Sequence, residues 1–148
     1  MQHNFFSKTQ IFFNSRKIFK NWHIYPKVYY NLINNEYVIF ETKTNLKIKI
    51  RTNSTDLMAL TNVWMINEYC IEDFQIAKND TIIDIGAHIG LFSLLVSQFC
   101  KTGNIFSFEP ISDNFNLFVS NLKLNQAENI HPFNLAVSKN TSNVNLFL

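Results

Sequence analysis

The 148-residue chain holds three glycines, and two of them, Gly86 and Gly90, fall in the single segment Thr81-Ile-Ile-Asp-Ile-Gly-Ala-His-Ile-Gly90. A short β-branched run ending in an acid, then a glycine-spaced turn, then apolar residues at helical spacing describes a strand that turns tightly into a helix. The first amides of that helix have no partner within it and face whatever lies over the strand end. Gly86 leaves room for a ligand against the backbone, and Gly90 lets the new helix start close to the strand.

From this segment onward apolar strands and amphipathic helices alternate. Strands are expected at Thr81–Ile85, Asn104–Phe108 and Ile130–Val137, and helices at Ile89–Cys100 and Asp113–Leu124. Such alternation predicts a parallel sheet with crossover helices, that is, an α/β fold. On the second helix Phe115, Phe118, Val119 and Leu122 are spaced to pack on the sheet, with Ser112 or Asp113 as a starting cap and Asn125 as the end. Val144–Leu148 reads as one further strand.

The preceding residues follow another plan. Phe5, Phe6, Phe12, Phe13, Phe19 and Trp22, interleaved with Lys8, Arg16, Lys17 and Lys20, predict one basic amphipathic helix from Phe5 to Trp22. Glu36–Glu41 and the alternating Leu46–Arg51 predict a hairpin. Ser54–Asp56 can cap a helix that carries Leu57, Leu60, Val63 and Trp64 on one face and runs to Tyr69. Charge divides at the same place: residues 1–51 carry nine Lys or Arg against Glu36 and Glu41, a balance of +7, within a chain of net charge +2. Lysines and arginines interrupt every apolar N-terminal run, so no membrane span or signal core can be drawn, although contact with a membrane surface is open to this helix. Cys70 and Cys100 are thirty residues apart with no metal or redox spacing, so no metal is expected and a cytoplasmic setting is.

The turn does not fit a dinucleotide. That fold spaces three glycines as G-x-G-x-x-G, whereas here His88 takes the second position and Leu91 the third. Asp84 at the strand end suits a ligand with a positive charge and no phosphate. Glu109 ends the next strand in Phe106-Ser-Phe-Glu-Pro110, where a carboxylate can accept both hydroxyls of a ribose and Pro110 fixes the backbone as it leaves the strand.

These residues resemble the FkbM-type family of S-adenosylmethionine-dependent methyltransferases. Asp84-Ile-Gly-Ala-His-Ile-Gly90 is similar to the family's glycine motif, where Asn or His is common at the place of His88. Phe108-Glu109-Pro110 is similar to its ribose-binding motif. Leu117, Asn121, Leu124 and Asn125 match the helix that follows, Ala136-Val137-Ser138 the small-residue turn after the third strand, and Asp56 with Tyr69 a looser upstream pattern. The resemblance implies a Rossmann-like, doubly wound sheet of the class I methyltransferase type. It implies S-adenosyl-L-methionine as cofactor, with its methionine part over Gly86, Ala87, His88 and Gly90, its ribose on Glu109 and its adenine near Pro110, Ile111 and Ala136. His88 can line the pocket, help catalysis or replace Asn as a turn former, and the last reading is preferred.

By the same resemblance residues 1–50 form a basic extension of helix and hairpin, and residues 51–148 the N-terminal half of a methyltransferase domain. The sheet would be incomplete after its third core strand, as in a truncated chain that is inactive alone and has no catalytic residue assigned. The expected activity is O-methylation of a small metabolite or glycan hydroxyl, with no nucleic-acid partner. The alternatives are a nucleotide-binding Rossmann-like domain, and a non-catalytic module whose basic N-terminus binds a membrane or nucleic acid.

Overall fold

The computed structural model describes residues 8–66, 69 and 75–139. The elements in chain order are α1 (Lys8–Ile18), α2 (Ile24–Tyr29), β1 (Tyr37–Glu41), β2 (Lys47–Arg51), α3 (Asp56–Leu60) continued by a π-helical turn (Thr61–Met65), β3 (Thr81–Ile85), α4 (Leu91–Val96), β4 (Asn104–Phe108), α5 (Ser112–Asn125) and β5 (Ile130–Phe133). β1 and β2 form the expected antiparallel hairpin, and β3, β4 and β5 form a parallel sheet in the order β3-β4-β5. The α/β expectation holds, and β3 and β4 start and stop at the expected residues.

One face of the sheet is covered. Ile105, Ser107 and Ile130 are buried there, in one core with Phe118 and Leu122 of α5, Leu94 and Val96 of α4, and Phe40, Ile48 and Ile50 of the hairpin. The hairpin joins this layer through α5, because Asn121 and Asn125 act as a substitute strand along β2. Asn121 Oδ1 accepts the Lys49 N–H at 2.7 Å and its amide donates to the Lys49 carbonyl at 3.1 Å. Asn125 makes the same pair of bonds to Lys47 at 2.7 and 2.7 Å. The backbone edge of β2 is thereby satisfied without another strand.

Several boundaries differ from expectation. The helix expected from Phe5 to Trp22 ends at Ile18, and its start at Phe5 and Phe6 lies outside the described residues. Phe19 instead bridges Thr42, and Lys20 N–H and Lys43 N–H bond to the Glu41 and Ile18 carbonyls at 2.8 Å each, so docking on the hairpin replaces the next helical turn. α2 was not expected; Pro26 sits in its first turn, where a missing N–H costs nothing.

The helix expected from Leu57 to Tyr69 is α-helical only to Leu60. Thr61 Oγ1 donates back to the Leu57 carbonyl at 2.7 Å and Ile66 N–H reaches the Thr61 carbonyl at 3.1 Å, which widens the turn. α4 stops at Val96 rather than Cys100. β5 stops at Phe133 rather than Val137, because the Asn134 side chain turns to the Glu109 carbonyl at 2.8 Å. Pro132 is tolerated in this strand, which forms one edge of the sheet.

On α5 the buried face is Asn114, Leu117, Phe118, Asn121 and Leu122; Phe115 and Val119 are only partly covered. Neither Ser112 nor Asp113 caps α5, whose N-cap is Ile111, and the left-handed residue ending it is Gln126 rather than Asn125. Cys70 and the expected strand Val144–Leu148 lie outside the described residues.

Candidate functional site

The turn after β3 is built from three left-handed residues, Gly86 (φ +81°), His88 (φ +53°) and Gly90 (φ +84°). Glycine adopts this region freely, and a histidine does so more readily than a β-branched residue. The Gly86 and Ala87 N–H groups both donate to the Phe108 carbonyl at 2.9 Å, which pins the turn to the end of β4. Around Gly86 there is open space, with nothing within 4 Å of where a Cβ would sit. Gly90 is different: its Cβ would fall 2.1 Å from Cδ2 of Phe118, so the close approach it permits is to α5.

Asp84 and Glu109 end the adjacent strands β3 and β4, and both are buried. Asp84 accepts a hydrogen bond from Ser93 Oγ at 2.5 Å, and Ser93 Oγ lies 2.8 Å from Ser107 Oγ. Burial pushes the Asp84 carboxyl above the usual carboxylate range, against the Ser93 bonds that favour its ionised form, and nearby Glu109 raises it further. Glu109 Oε2 accepts the His88 N–H at 2.8 Å, and Oε1 accepts the Ile111 N–H at 2.9 Å and the Asn114 amide at 3.5 Å.

From Asn114 the contacts continue into a closed ring of side chains. Asn114 Oδ1 accepts from Arg51 Nη2 at 2.7 Å, and Arg51 holds the fully buried Asp56 through Nη2 at 2.7 Å and Nε at 2.9 Å. Asp56 Oδ1 lies 3.6 Å from His88 Nε2. Desolvation holds the His88 imidazole below its usual pKa, against the attraction of Asp56. Its Nδ1 is buried with no hydrogen-bond partner among the described residues. The end of the hairpin, α3, the glycine turn, the end of β4 and the start of α5 are thus tied together.

Over the turn lies a cleft of about 170 Å³ whose walls include Asp84, Gly86, Ala87, His88, Met58 and Phe92. Ligand pockets commonly measure roughly 300–1,000 Å³, so this cleft fits part of a nucleoside-sized ligand. Of the residues proposed from sequence, Asp84, Gly86, Ala87 and His88 meet in this cleft. Gly90 stands beneath it, and Glu109 supports the turn through His88. Pro110 is partly buried beyond Glu109, and Ala136 is exposed after β5. Sequence reasoning did not select Ser93, Ser107, Arg51 or Asn114. A signal existed for Asn114, a polar residue on the apolar stripe of α5; Asp56 was marked only as a cap and as part of the looser upstream pattern, and nothing pointed to its pairing with Arg51. Among the described residues no three His, Cys, Asp or Glu side chains are placed to hold a metal, and no helix is long and apolar enough to cross a membrane.

Residues 59–145, which contain the turn, both carboxylates and the whole parallel sheet, match the TRM5/TYW2 methyltransferase domain. The chain belongs to that family. Methyltransferase sdnD of Sordaria araneosa is 33% identical over 63 residues, which cover 43% of this chain and 24% of that protein. Among solved structures, Methanocaldococcus jannaschii TYW2 in complex with AdoMet superposes with a TM-score of 0.54 at 20% identity, over 70% of this chain and 45% of that one. A Pyrococcus horikoshii protein titled a transferase superposes with a TM-score of 0.51 at 15% identity, over 70% of this chain and 37% of that one. These likenesses show the class I methyltransferase fold. The chain spans less than half the length of each of these three relatives.

Proposed function

We propose that this chain is the cofactor-binding part of an S-adenosylmethionine-dependent methyltransferase. The observation that carries the proposal is the pair of buried carboxylates, Asp84 and Glu109, at adjacent strand ends on either side of a left-handed glycine turn. When bound, the cofactor supplies a methyl group on a cationic sulfur. Asp84 faces the cleft with its charge disfavoured by burial, and among the described residues no Lys or Arg pairs with it, so a cationic ligand is its natural complement. Gly86, Ala87 and His88 form the floor against which the methionine part fits, since Gly86 presents no Cβ and open space. Glu109 fits the ribose: of about four acceptor positions the His88 and Ile111 amides hold two, and the third is taken only by the long 3.5 Å bond from Asn114, so displacing that bond leaves two positions for the hydroxyls. Pro110 and Ala136 then line the adenine.

The acceptor that the FkbM-like form of the motifs supports is a hydroxyl oxygen of a small metabolite or glycan, with catalysis mainly by alignment. A nucleic-acid acceptor is the second reading, favoured by the TRM5/TYW2 family match and by the +7 balance of residues 1–51. Calorimetric titration with S-adenosylhomocysteine and with NAD tests the cofactor: the first should bind and the second should not. Labelled methyl transfer to hydroxylated metabolites and glycans, set against bulk tRNA, separates the two acceptors. A folded chain that ignores S-adenosylhomocysteine overturns the proposal.

A further inference from the structure

A second cleft, of about 440 Å³, lies in the residues ahead of the sheet, between α1, α2 and the α3–π-turn segment. It is within the size range of small-molecule sites. Ile11, Val28 and Leu57 contribute apolar surface, as do the rings of Tyr25 and Tyr29, which stack at 17° with centroids 6.5 Å apart. Asn31 and Asn62 add two side-chain amides that bond to no other described residue. Asn62 belongs to the π-helical turn, and such turns within helices are frequent at functional sites. An apolar body with a few convergent polar groups is the usual make-up of a ligand site.

Met58 connects this groove to the site already described, because it lines both the groove and the cleft over Gly86, Ala87 and His88. Met58 is 61% exposed on the shared wall, where an adaptable thioether can contact ligands on either side. Among the described residues the lining of the groove holds no Lys, Arg, Asp or Glu. Of the cations on the surrounding elements, Arg51 is held by Asp56 and Arg16 lies over Trp22, while Lys17 of α1 and Lys27 of α2 are outside the lining. A phosphodiester chain needs cations, and this groove offers none.

We propose that this groove binds the methyl acceptor, and that the acceptor is a neutral small molecule with a ring-sized apolar body bearing hydroxyl groups. The assignment rests on the cofactor reading above, since it takes the cleft across Met58 as the methionine end of the cofactor site. Two side-chain amides then receive the hydroxyls while the tyrosine rings and aliphatic side chains take the body.

The test uses the full chain labelled with 13C at the methionine methyl groups, and 1-naphthyl β-glucoside as the probe. The probe should shift the Met58 methyl signal and leave that of buried Met65 in place, with or without S-adenosylhomocysteine. Asn62→Trp, which fills the groove, should weaken the probe at least tenfold, and the milder Asn62→Ala about three- to tenfold, with S-adenosylhomocysteine affinity within twofold of the parent in both. The proposal is overturned if Met58 does not respond at millimolar probe while S-adenosylhomocysteine binds, if both variants bind the probe like the parent, or if tRNA displaces the probe. Failure of S-adenosylhomocysteine to bind overturns the cofactor reading, and the acceptor role of the groove with it, however the probe behaves.

Discussion

Gly90 and Gly86 share a backbone conformation but not a neighbourhood, so the same substitution should have very different effects at the two. An alanine at Gly90 places its Cβ 2.1 and 2.4 Å from Cδ2 and Cε2 of Phe118, a ring that is fully buried in α5. The left-handed conformation at φ +84° costs a residue with a Cβ about 1–2 kcal/mol, and forcing an extra methyl into a packed core costs about 1–3 kcal/mol more. Gly90→Ala should therefore destabilise by roughly 2–5 kcal/mol, a large share of the 5–15 kcal/mol typical of a whole domain. Gly86→Ala meets nothing within 4 Å and carries only the backbone cost of about 1–2 kcal/mol. Urea denaturation followed by tryptophan fluorescence gives both values, because Trp64 is buried with its indole N–H on the Leu91 carbonyl at the start of α4. Shrinking the ring by Phe118→Leu should relieve the clash, so the double mutant should be at least about 1 kcal/mol more stable than the two single effects predict. The reasoning is refuted if Gly90→Ala costs no more than Gly86→Ala, or if the Gly90 and Phe118 effects simply add.

Glu109→Ala should weaken S-adenosylhomocysteine binding by about 1.5–3 kcal/mol, the scale of a lost charge-assisted hydrogen bond; an unchanged calorimetric titration of the folded variant refutes the ribose assignment. Asp84→Asn should raise the melting temperature at pH 7 while abolishing cofactor binding. Because the folded-state pKa of Asp84 is raised, its contribution to stability is full below the ordinary carboxylate range and is lost as pH rises through the folded value. The gain should therefore vanish in melts near pH 4, and a wild type that melts higher at pH 7 counts against it. His88 has a lowered folded pKa, so stability should fall as pH drops below about 6.5, where the unfolded chain takes up the proton first. His88→Asn keeps a residue type that tolerates φ +53° and should flatten that part of the profile, whereas an unaltered slope would place the titration elsewhere. Ile83 and Ile85 are 63% and 64% exposed on the outer face of a parallel sheet, a kind of sheet normally covered on both faces. The 148-residue chain should accordingly self-associate in sedimentation, and Ile83→Lys should shift it toward monomer; a monomeric wild type at high concentration refutes this.

The sequence by itself determined the elements whose cues lie within a few residues of one another. β3 and β4 end beside an acid that a glycine turn or a proline follows, the second hairpin strand alternates strictly, and α5 follows a helical stripe, so all four were legible. The spacing Asp84, Gly86, Gly90 together with Glu109 marked the turn and its two carboxylates, because strand, turn and helix follow one another directly along the chain. The rest depends on contacts that sequence spacing does not encode. Phe19 leaves its helix because the hairpin offers backbone partners at Glu41 and Thr42, and the side chains of Asn121 and Asn125 pair with β2 from more than seventy residues away. The ring from Glu109 through Asn114, Arg51 and Asp56 to His88 joins five elements, and Met58 stands between two clefts only because α3 packs beside the glycine turn. Propensity and periodicity act over a few residues, whereas a buried polar group takes whatever partner packing brings within about 3 Å, and that choice is made only when the chain has folded.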